Sequence, residues 1–209
     1  MKQNRKGLLL VISGPAGVGK GTINISLISR NSDIRMSVSA TTRPPRPGEI
    51  DGVHYFFKTD EEFQDMINKG AFLEYMRVFN THYYGTPKSF VEQELAEGRS
   101  VILEIDVQGA MRVKAAYPDA VLIFIAPPSM SELKSRLIHR GTESSEAIDR
   151  RFETAYQEMK YIDRYDYVVV NDILDLAIAR TEDIIVAERC RVSRNSELIE
   201  KLQGGRNAL

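Results

Sequence analysis

A single cysteine, Cys190, cannot close an intramolecular disulfide, so the chain must hold its fold by packing alone. Charge of neither sign is in excess, since 28 Lys and Arg face 29 Asp and Glu for a formal net charge of -1. That balance removes the broad positive field on which non-specific nucleic-acid binding depends, and any anion site must be local. Long apolar runs are missing too. Residues 8–12 and 121–126 form the longest, far below the roughly 20 residues that span a bilayer. The opening Met-Lys-Gln-Asn-Arg-Lys lacks the apolar stretch of a secretion signal. The expectation is a reducing, cytoplasmic setting with no nucleic-acid and no membrane partner. The 209 residues, 43% of them hydrophobic, suffice for one compact domain.

What is there is rhythmic. Apolar or β-branched runs at 8–13, 101–106, 121–126 and 167–171 are continuous rather than alternating, which predicts strands buried on both faces in a parallel sheet. Helical patterns separate them. Thr86-Pro87 supplies a cap and a first-turn proline ahead of Phe90, Val91 and Leu95. Thr59 with Glu62, and Ser129 with Glu132, are capping boxes. Ile148, Phe152, Ala155, Met159 and Ile162 fall on one face of a long helix. Strand–helix–strand alternation predicts an α/β fold. Residues 36–85 break the rhythm with a proline-rich stretch and short aromatic pieces, and read as an inserted subdomain. The charged helical stretch 127–164, between two strands of the main sheet, reads as a second insert, and the tail after Cys190 is polar.

The sharpest motif is Gly14-Pro15-Ala16-Gly17-Val18-Gly19-Lys20-Gly21-Thr22, between a strand pattern and a helical one. Glycines let backbone N–H groups converge on phosphate oxygens, the helix N-terminus favours negative charge, and the lysine reaches the β- and γ-phosphates. The position after the lysine, where a metal-binding hydroxyl is usual, holds Gly21, with Thr22 one step later. Thr22 is therefore the candidate for Mg²⁺, directly or through water. Strand alternation over 101–106 puts Glu104 and Asp106 on one face at the carboxyl end, placed to accept from substrate or to orient the water shell of a Mg²⁺. Asp106 alone equally suits the cap of a following turn.

The run Ser37-Val38-Ser39-Ala40-Thr41-Thr42-Arg43-Pro44-Pro45-Arg46-Pro47-Gly48-Glu49, with Gly52 and Tyr55, resembles the GMP-binding signature of guanylate kinases. The resemblance continues through Phe72-Leu73-Glu74, Tyr83-Tyr84-Gly85-Thr86, 105–109, 125–129, Arg140-Gly141-Thr142-Glu143 and Val170-Asn171-Asp172, and spans about residues 7–188. It implies a P-loop NTPase-like parallel sheet core (7–36, 87–126 and 165–190), a GMP-binding insert (37–86), a helical lid (127–164) and a C-terminal tail (191–209). The implied reaction is ATP + GMP to ADP + GDP with Mg²⁺, and dGMP as a second acceptor. By resemblance Arg43, Arg46, Tyr55 and Tyr84 hold the GMP phosphate, with Glu49 in the same signature. Glu74, Ser39, Thr86 and Asp106, with Glu104 nearby, read guanine, whose N1–H and N2–H₂ donors and O6 acceptor suit a carboxylate beside hydroxyls. Arg136, Arg140 and Arg151 approach the phosphates from the lid, beside Lys20 and Arg43, and Asn171 lies on the ATP side.

Two other readings stay open on the sequence. The Gly21-Thr22 spacing also resembles adenylate-kinase loops, a reading that the 39–55 signature opposes. Non-catalytic guanylate-kinase-like modules bind partner peptides, but typically lack an intact phosphate loop. The sequence leaves open whether the chain forms a homo-oligomer.

Overall fold

The computed structural model describes residues 6–78, 81–139 and 145–204. In chain order the first half runs β1 (Leu9–Ser13), α1 (Lys20–Arg30), β2 (Ile34–Met36), β3 (Ala40–Thr41), β4 (Phe56–Phe57), α2 (Asp60–Asn68), β5 (Phe72–Val78), β6 (His82–Pro87) and α3 (Lys88–Ala96). The second half runs β7 (Ser100–Glu104), α4 (Val107–Ala116), β8 (Val121–Ala126), α5 (Met130–His139), α6 (Ser145–Met159), β9 (Tyr167–Val170), α7 (Leu174–Arg189) and α8 (Ser196–Gly204), with 3₁₀ turns at Ile162–Arg164 and Val192–Arg194.

Five parallel strands form the main sheet in the order β2-β7-β1-β8-β9. Successive strand residues point to opposite faces, and both faces are apolar. Leu10, Ile12, Ile102 and Ile123 pack with Ile23 and Leu27 of α1 and Ile178 and Ile185 of α7. Leu9, Val11, Val101, Leu103 and Leu122 pack with Val91 and Leu95 of α3 and Val113 of α4. Helices on both faces of a parallel sheet put the ligand crevice at the carboxyl ends of the strands, where the chain turns from β1 into α1 and from β7 into α4.

A second sheet, ordered β4-β3-β6-β5, mixes a parallel β3–β4 pair with antiparallel β3–β6 and β5–β6 pairs. Its core is small and aromatic. Phe63 of α2 stacks on Phe72 at 4.4 Å and on Tyr83 at 5.2 Å between ring centroids.

Four expectations need correcting. The strand at 101–106 stops at Glu104, and Asp106 becomes the N-cap of α4, its Oδ1 accepting from the Gly109 amide at 2.7 Å. Strand β9 is not buried on both faces: as the sheet edge it leaves Val168 at 54% and Val170 at 37% exposure, while buried Val169 and half-buried Tyr167 turn into the core. Thr86 does not cap α3. It lies in β6 with Pro87 as the N-cap, and its hydroxyl is used elsewhere. Helix α6 ends at Met159, and Ile162 begins the 3₁₀ turn that follows. The stripe is correspondingly divided. Ile148, Phe152 and Ala155 face the main core, whereas Met159 and Ile162 pack near Val107, Phe124 and Ala126.

Candidate active site

The site begins where fully buried β1 delivers the chain into the glycine loop. Gly14 runs so close to β8 that a Cβ there would sit 2.2 Å from the Ile125 carbonyl oxygen. Gly19, at φ 98°, is the N-cap of α1 and has no side chain with which to satisfy the first-turn amides, and that turn carries no acidic residue. The amides therefore remain available to an anion, and the helix dipole favours one. Lys20 Nζ is drawn back onto the loop, donating to the Gly14 carbonyl at 2.6 Å and the Pro15 carbonyl at 3.0 Å. Buried Asn171, just past β9, clamps the loop by donating Nδ2 to the Val18 carbonyl at 2.8 Å. Arg136 of α5 reaches the Asn171 carbonyl at 3.1 Å while its Nε donates to Glu132 at 3.0 Å. Loop, β9 and α5 are thus tied through one residue.

Thr22 is exposed on the first turn of α1. Glu104 closes β7 beside that turn: its Oε2 accepts from Asn24 Nδ2 at 2.7 Å and would lie 3.9 Å from a Cβ at Gly21. Among the described residues no group of three or more His, Cys, Asp or Glu side chains can cage a metal. Hard oxygen donors that are few and open to water fit a Mg²⁺ that arrives on a nucleotide.

The second sheet carries the acceptor residues. Arg43 is held on every side of its guanidinium. It forks onto Glu49 at 2.8 and 3.0 Å, donates Nε to the Tyr84 hydroxyl at 3.2 Å, and lies 5.4 Å from the Tyr55 ring centroid. Glu49 also accepts from the Arg46 amide at 2.7 Å. The Arg43 guanidinium, with that amide helping, holds the Glu49 carboxyl down at about 2, and Glu49 in turn raises the Arg43 pKa. Arg46 itself is exposed. Glu49 accordingly stands where an incoming anion would meet the Arg43 fork.

Glu74, Thr86 and Asp106 come together although they lie on β5, β6 and the α4 cap. The Thr86 hydroxyl donates to Glu74 Oε1 at 2.9 Å, and both residues are buried. A Cβ at Gly109 would sit 3.4 Å from Glu74 Oε2 and from Asp106 Oδ1, so the glycine leaves the two carboxylates side by side. Burial raises the Glu74 pKa above the usual carboxylate range and Asp106 adds to it, against the opposing Thr86 hydrogen bond and the Arg112 charge. Glu104 is not part of this cluster; its contact with Asn24 sets it on the phosphate-loop side. Ser39 is half-buried on the approach to β3, and its backbone carbonyl accepts from Phe56 at 2.9 Å. Arg151 is exposed on α6. Arg140, with Gly141, Thr142 and Glu143, lies outside the described residues.

Sequence reasoning missed Asn24, Arg112, Tyr165 and Glu158. Buried Ser13 and Tyr165 hydroxyls sit under the loop without a well-formed hydrogen bond, and burial pushes the Tyr165 phenol up to about 12. Half-buried Glu158, in the last turn of α6, has Lys20 and Asp106 as its charged neighbours. Its only sequence signal is a carboxylate three residues after Ala155, bordering an apolar stripe.

The guanylate kinase family profile matches residues 6–188. A guanylate kinase of Caldanaerobacter subterraneus subsp. tengcongensis is 54% identical over 203 residues, spanning 97% of this chain and 98% of that protein. One from Bacillus cereus is 49% identical over 204 residues, spanning 97% and 99%. Among solved structures, the crystal structure of guanylate kinase from Anaplasma phagocytophilum is similar with a TM-score of 0.73 at 33% identity, covering 94% of this chain and 95% of that one.

Proposed function

The chain belongs to the guanylate kinase family, and from that premise we propose how its residues move the γ-phosphoryl group of ATP onto GMP. The observation that carries the reading is the buried Glu74–Thr86 pair beside Asp106, facing the same crevice as the phosphate loop. A carboxylate there accepts from guanine N1–H and N2–H₂, donors that adenine cannot offer in that place. Arg43, Arg46, Tyr55 and Tyr84 receive the GMP phosphate, with Glu49 yielding part of the Arg43 fork to the incoming dianion.

On the donor side the loop amides and Lys20 hold the β- and γ-phosphates of ATP, and Asn171 fixes the loop from behind. Mg²⁺, when bound, would neutralise charge on the polyphosphate, and Thr22 and Glu104 are the residues that would hold its water shell. The attacking group is a phosphate oxygen of GMP itself, so no side-chain nucleophile is needed; positioning and charge stabilisation by Lys20, Arg43, Arg136, Arg140 and Arg151 carry the step. Residues 37–86 act as the acceptor insert and 127–164 as a lid over a core made of 7–36, 87–126 and 165–190. Closing them excludes water and limits idle ATP hydrolysis. No helix among the described residues is long and apolar enough to cross a membrane.

The test is ADP release by the wild-type enzyme from ATP with GMP, dGMP, AMP or UMP as acceptor. GMP should be strongly preferred, dGMP accepted, and AMP and UMP nearly inert. Equal turnover with AMP would remove the role given to Glu74.

A further inference from the structure

Helix α1 turns Ile23, Asn24 and Leu27 inward. Ile23 and Leu27 join the main core, and Asn24 is sealed in beside them at 0% exposure. Its Nδ2 donates to Glu104 Oε2 at 2.7 Å. An ionised carboxylate only accepts, so the amide has one permitted orientation, which turns Oδ1 away from Glu104. That oxygen is buried and accepts no hydrogen bond among the described residues. A buried carbonyl without a donor weakens a fold, whereas an apolar side chain of similar shape is neutral or better.

The bond that Asn24 does make is no anchor of the fold either. Its partner is an exposed carboxylate at the end of β7, 80 residues away, and exchanging water for an amide there adds little net stability. Buried Thr181 of α7 shows the contrast, since its hydroxyl is satisfied within its own helix by the Ala177 carbonyl at 2.7 Å. Packing alone would favour an apolar residue at position 24. What the amide achieves is to fix Glu104, and the place where it fixes it is definite. Glu104 pairs with Ile12 in the β1–β7 register. Oε2, the oxygen that Asn24 binds, would lie 3.9 Å from a Cβ at Gly21. Position 21 directly follows the loop lysine, where a metal-binding hydroxyl is usual. Gly21 offers none, and Glu104 brings an oxygen beside the place such a hydroxyl would take.

We propose that Asn24 is a positioning residue for Glu104: a buried amide that holds the carboxylate over the first turn of α1, where it serves the water shell of Mg²⁺ in place of the hydroxyl that residue 21 lacks. An unheld glutamate would spread over several rotamers at this spot, and the bond from the rigid helix selects one before nucleotide arrives. This inference rests on the loop being the site of Mg²⁺·ATP.

Asn24→Leu removes the amide at similar volume and tests the proposal on the intact chain. Its Tm should equal or exceed that of wild type, because the unsatisfied carbonyl is gone. Calorimetric titration with an unreactive ATP analogue, in excess Mg²⁺ and in EDTA, should show the gain in affinity due to the metal cut about tenfold, with the metal-free affinity unchanged. Glu104→Gln should give a similar cut, and the double variant should add nothing to either single change. Asn24→Ala, which deletes the amide without a branched side chain, should lose the metal-dependent gain as Asn24→Leu does. A gain left intact in both Asn24 variants, or losses that multiply in the double variant, overturns the role of Asn24 alone. A clear fall in Tm for both shows an amide required by the fold and overturns it likewise. Glu104→Gln with its metal-dependent gain whole, or wild type binding the analogue equally with and without Mg²⁺, overturns the metal-site reading and this proposal with it.

Discussion

The role proposed for Glu74 asks one carboxylate to be buried, ionised and selective at once. Burial raises its pKa, whereas accepting from two guanine donors requires the charged form. The sign for binding follows directly. As pH falls through the raised pKa, GMP loses its acceptor, so KM for GMP should climb on an acid limb above the ordinary carboxylate range while KM for ATP stays flat. For folding, the stabilising difference is fully present below the unfolded-state pKa and is lost as pH rises through the folded one. Glu74→Gln keeps the shape but replaces one acceptor by a donor. Its ratio of kcat/KM for GMP over AMP should fall about 100-fold, and the acid limb should vanish; an unchanged ratio would pass base reading to Ser39, Thr86 or Asp106. Gly19 allows a second prediction. Alanine there would set its Cβ 2.5 Å from Asn171 Nδ2 at a φ of 98°. Strain of about 1–3 kcal/mol and loss of the Asn171–Val18 bond should lower kcat/KM for ATP roughly 10- to 100-fold. KM for GMP, with ATP saturating, should barely change. At this scale the phosphate loop was legible because Gly, Lys and Thr at fixed offsets serve local backbone geometry. Asn171 as the clamp of that loop was not, because its partner Val18 is 153 residues away. Nor was Asn24, whose partner Glu104 is 80 residues away.

Elements are set by caps and edges, and here the sequence spoke unevenly. Thr59 and Glu62 form the full reciprocal box, each side chain satisfying the other's amide. Ser129 forms half of one: it accepts from the Glu132 amide at 3.1 Å, while the Glu132 carboxylate turns to Arg136. Thr86 read equally well as a cap, yet the bend from β6 into α3 lets Pro87 take that position and frees the hydroxyl for Glu74. Local pattern cannot rank two partners for one hydroxyl when one of them comes from another strand. Thr59→Ala should therefore cost about 1 kcal/mol in chemical denaturation with kcat unaltered, since α2 packs behind the second sheet rather than on the crevice. The last turn of α7 is a heavier joint. Glu188, 1% exposed, accepts from the Tyr167 hydroxyl of β9 at 2.6 Å and from Arg194 at 3.1 and 3.3 Å. Replacing it with Gln leaves the arginine under-compensated beside a buried amide. The expected loss is about 2–3 kcal/mol, or roughly 5–10 °C in Tm for a chain of this size. A thermal scan within 1–2 °C of wild type, taking about 2–4 °C per kcal/mol as the scale, would show that the cluster is solvated.

Across the whole molecule, the groups assigned to one phosphoryl transfer belong to separate bodies of structure. Lys20 rests on the main sheet's loop, Arg43 is folded against Glu49 on the second sheet, and Arg136 and Arg151 ride on the helices between β8 and β9. In-line attack needs donor and acceptor phosphates within about 3–3.5 Å under a common set of cations, and each cation is at present satisfied by its own neighbourhood. Nucleotides offer the missing incentive: a GMP dianion competes with Glu49 for Arg43, and the ATP polyphosphate competes with the Gly14 and Pro15 carbonyls for Lys20. Each ligand alone reorganises one side, whereas only the pair gives the helical segment charge to close upon. The order of effects is therefore predictable. Small-angle scattering should show slight compaction with GMP or with an unreactive ATP analogue singly, and clear compaction with both. A compact chain of this length scales to a radius of gyration of about 17 Å; the free enzyme should exceed that value and the ternary complex approach it. Arg43→Met should abolish the compaction due to GMP while leaving that due to the analogue. A radius unchanged at saturation by both ligands, with calorimetry showing both bound, would mean that the cations converge by side-chain rearrangement alone and that neither insert closes.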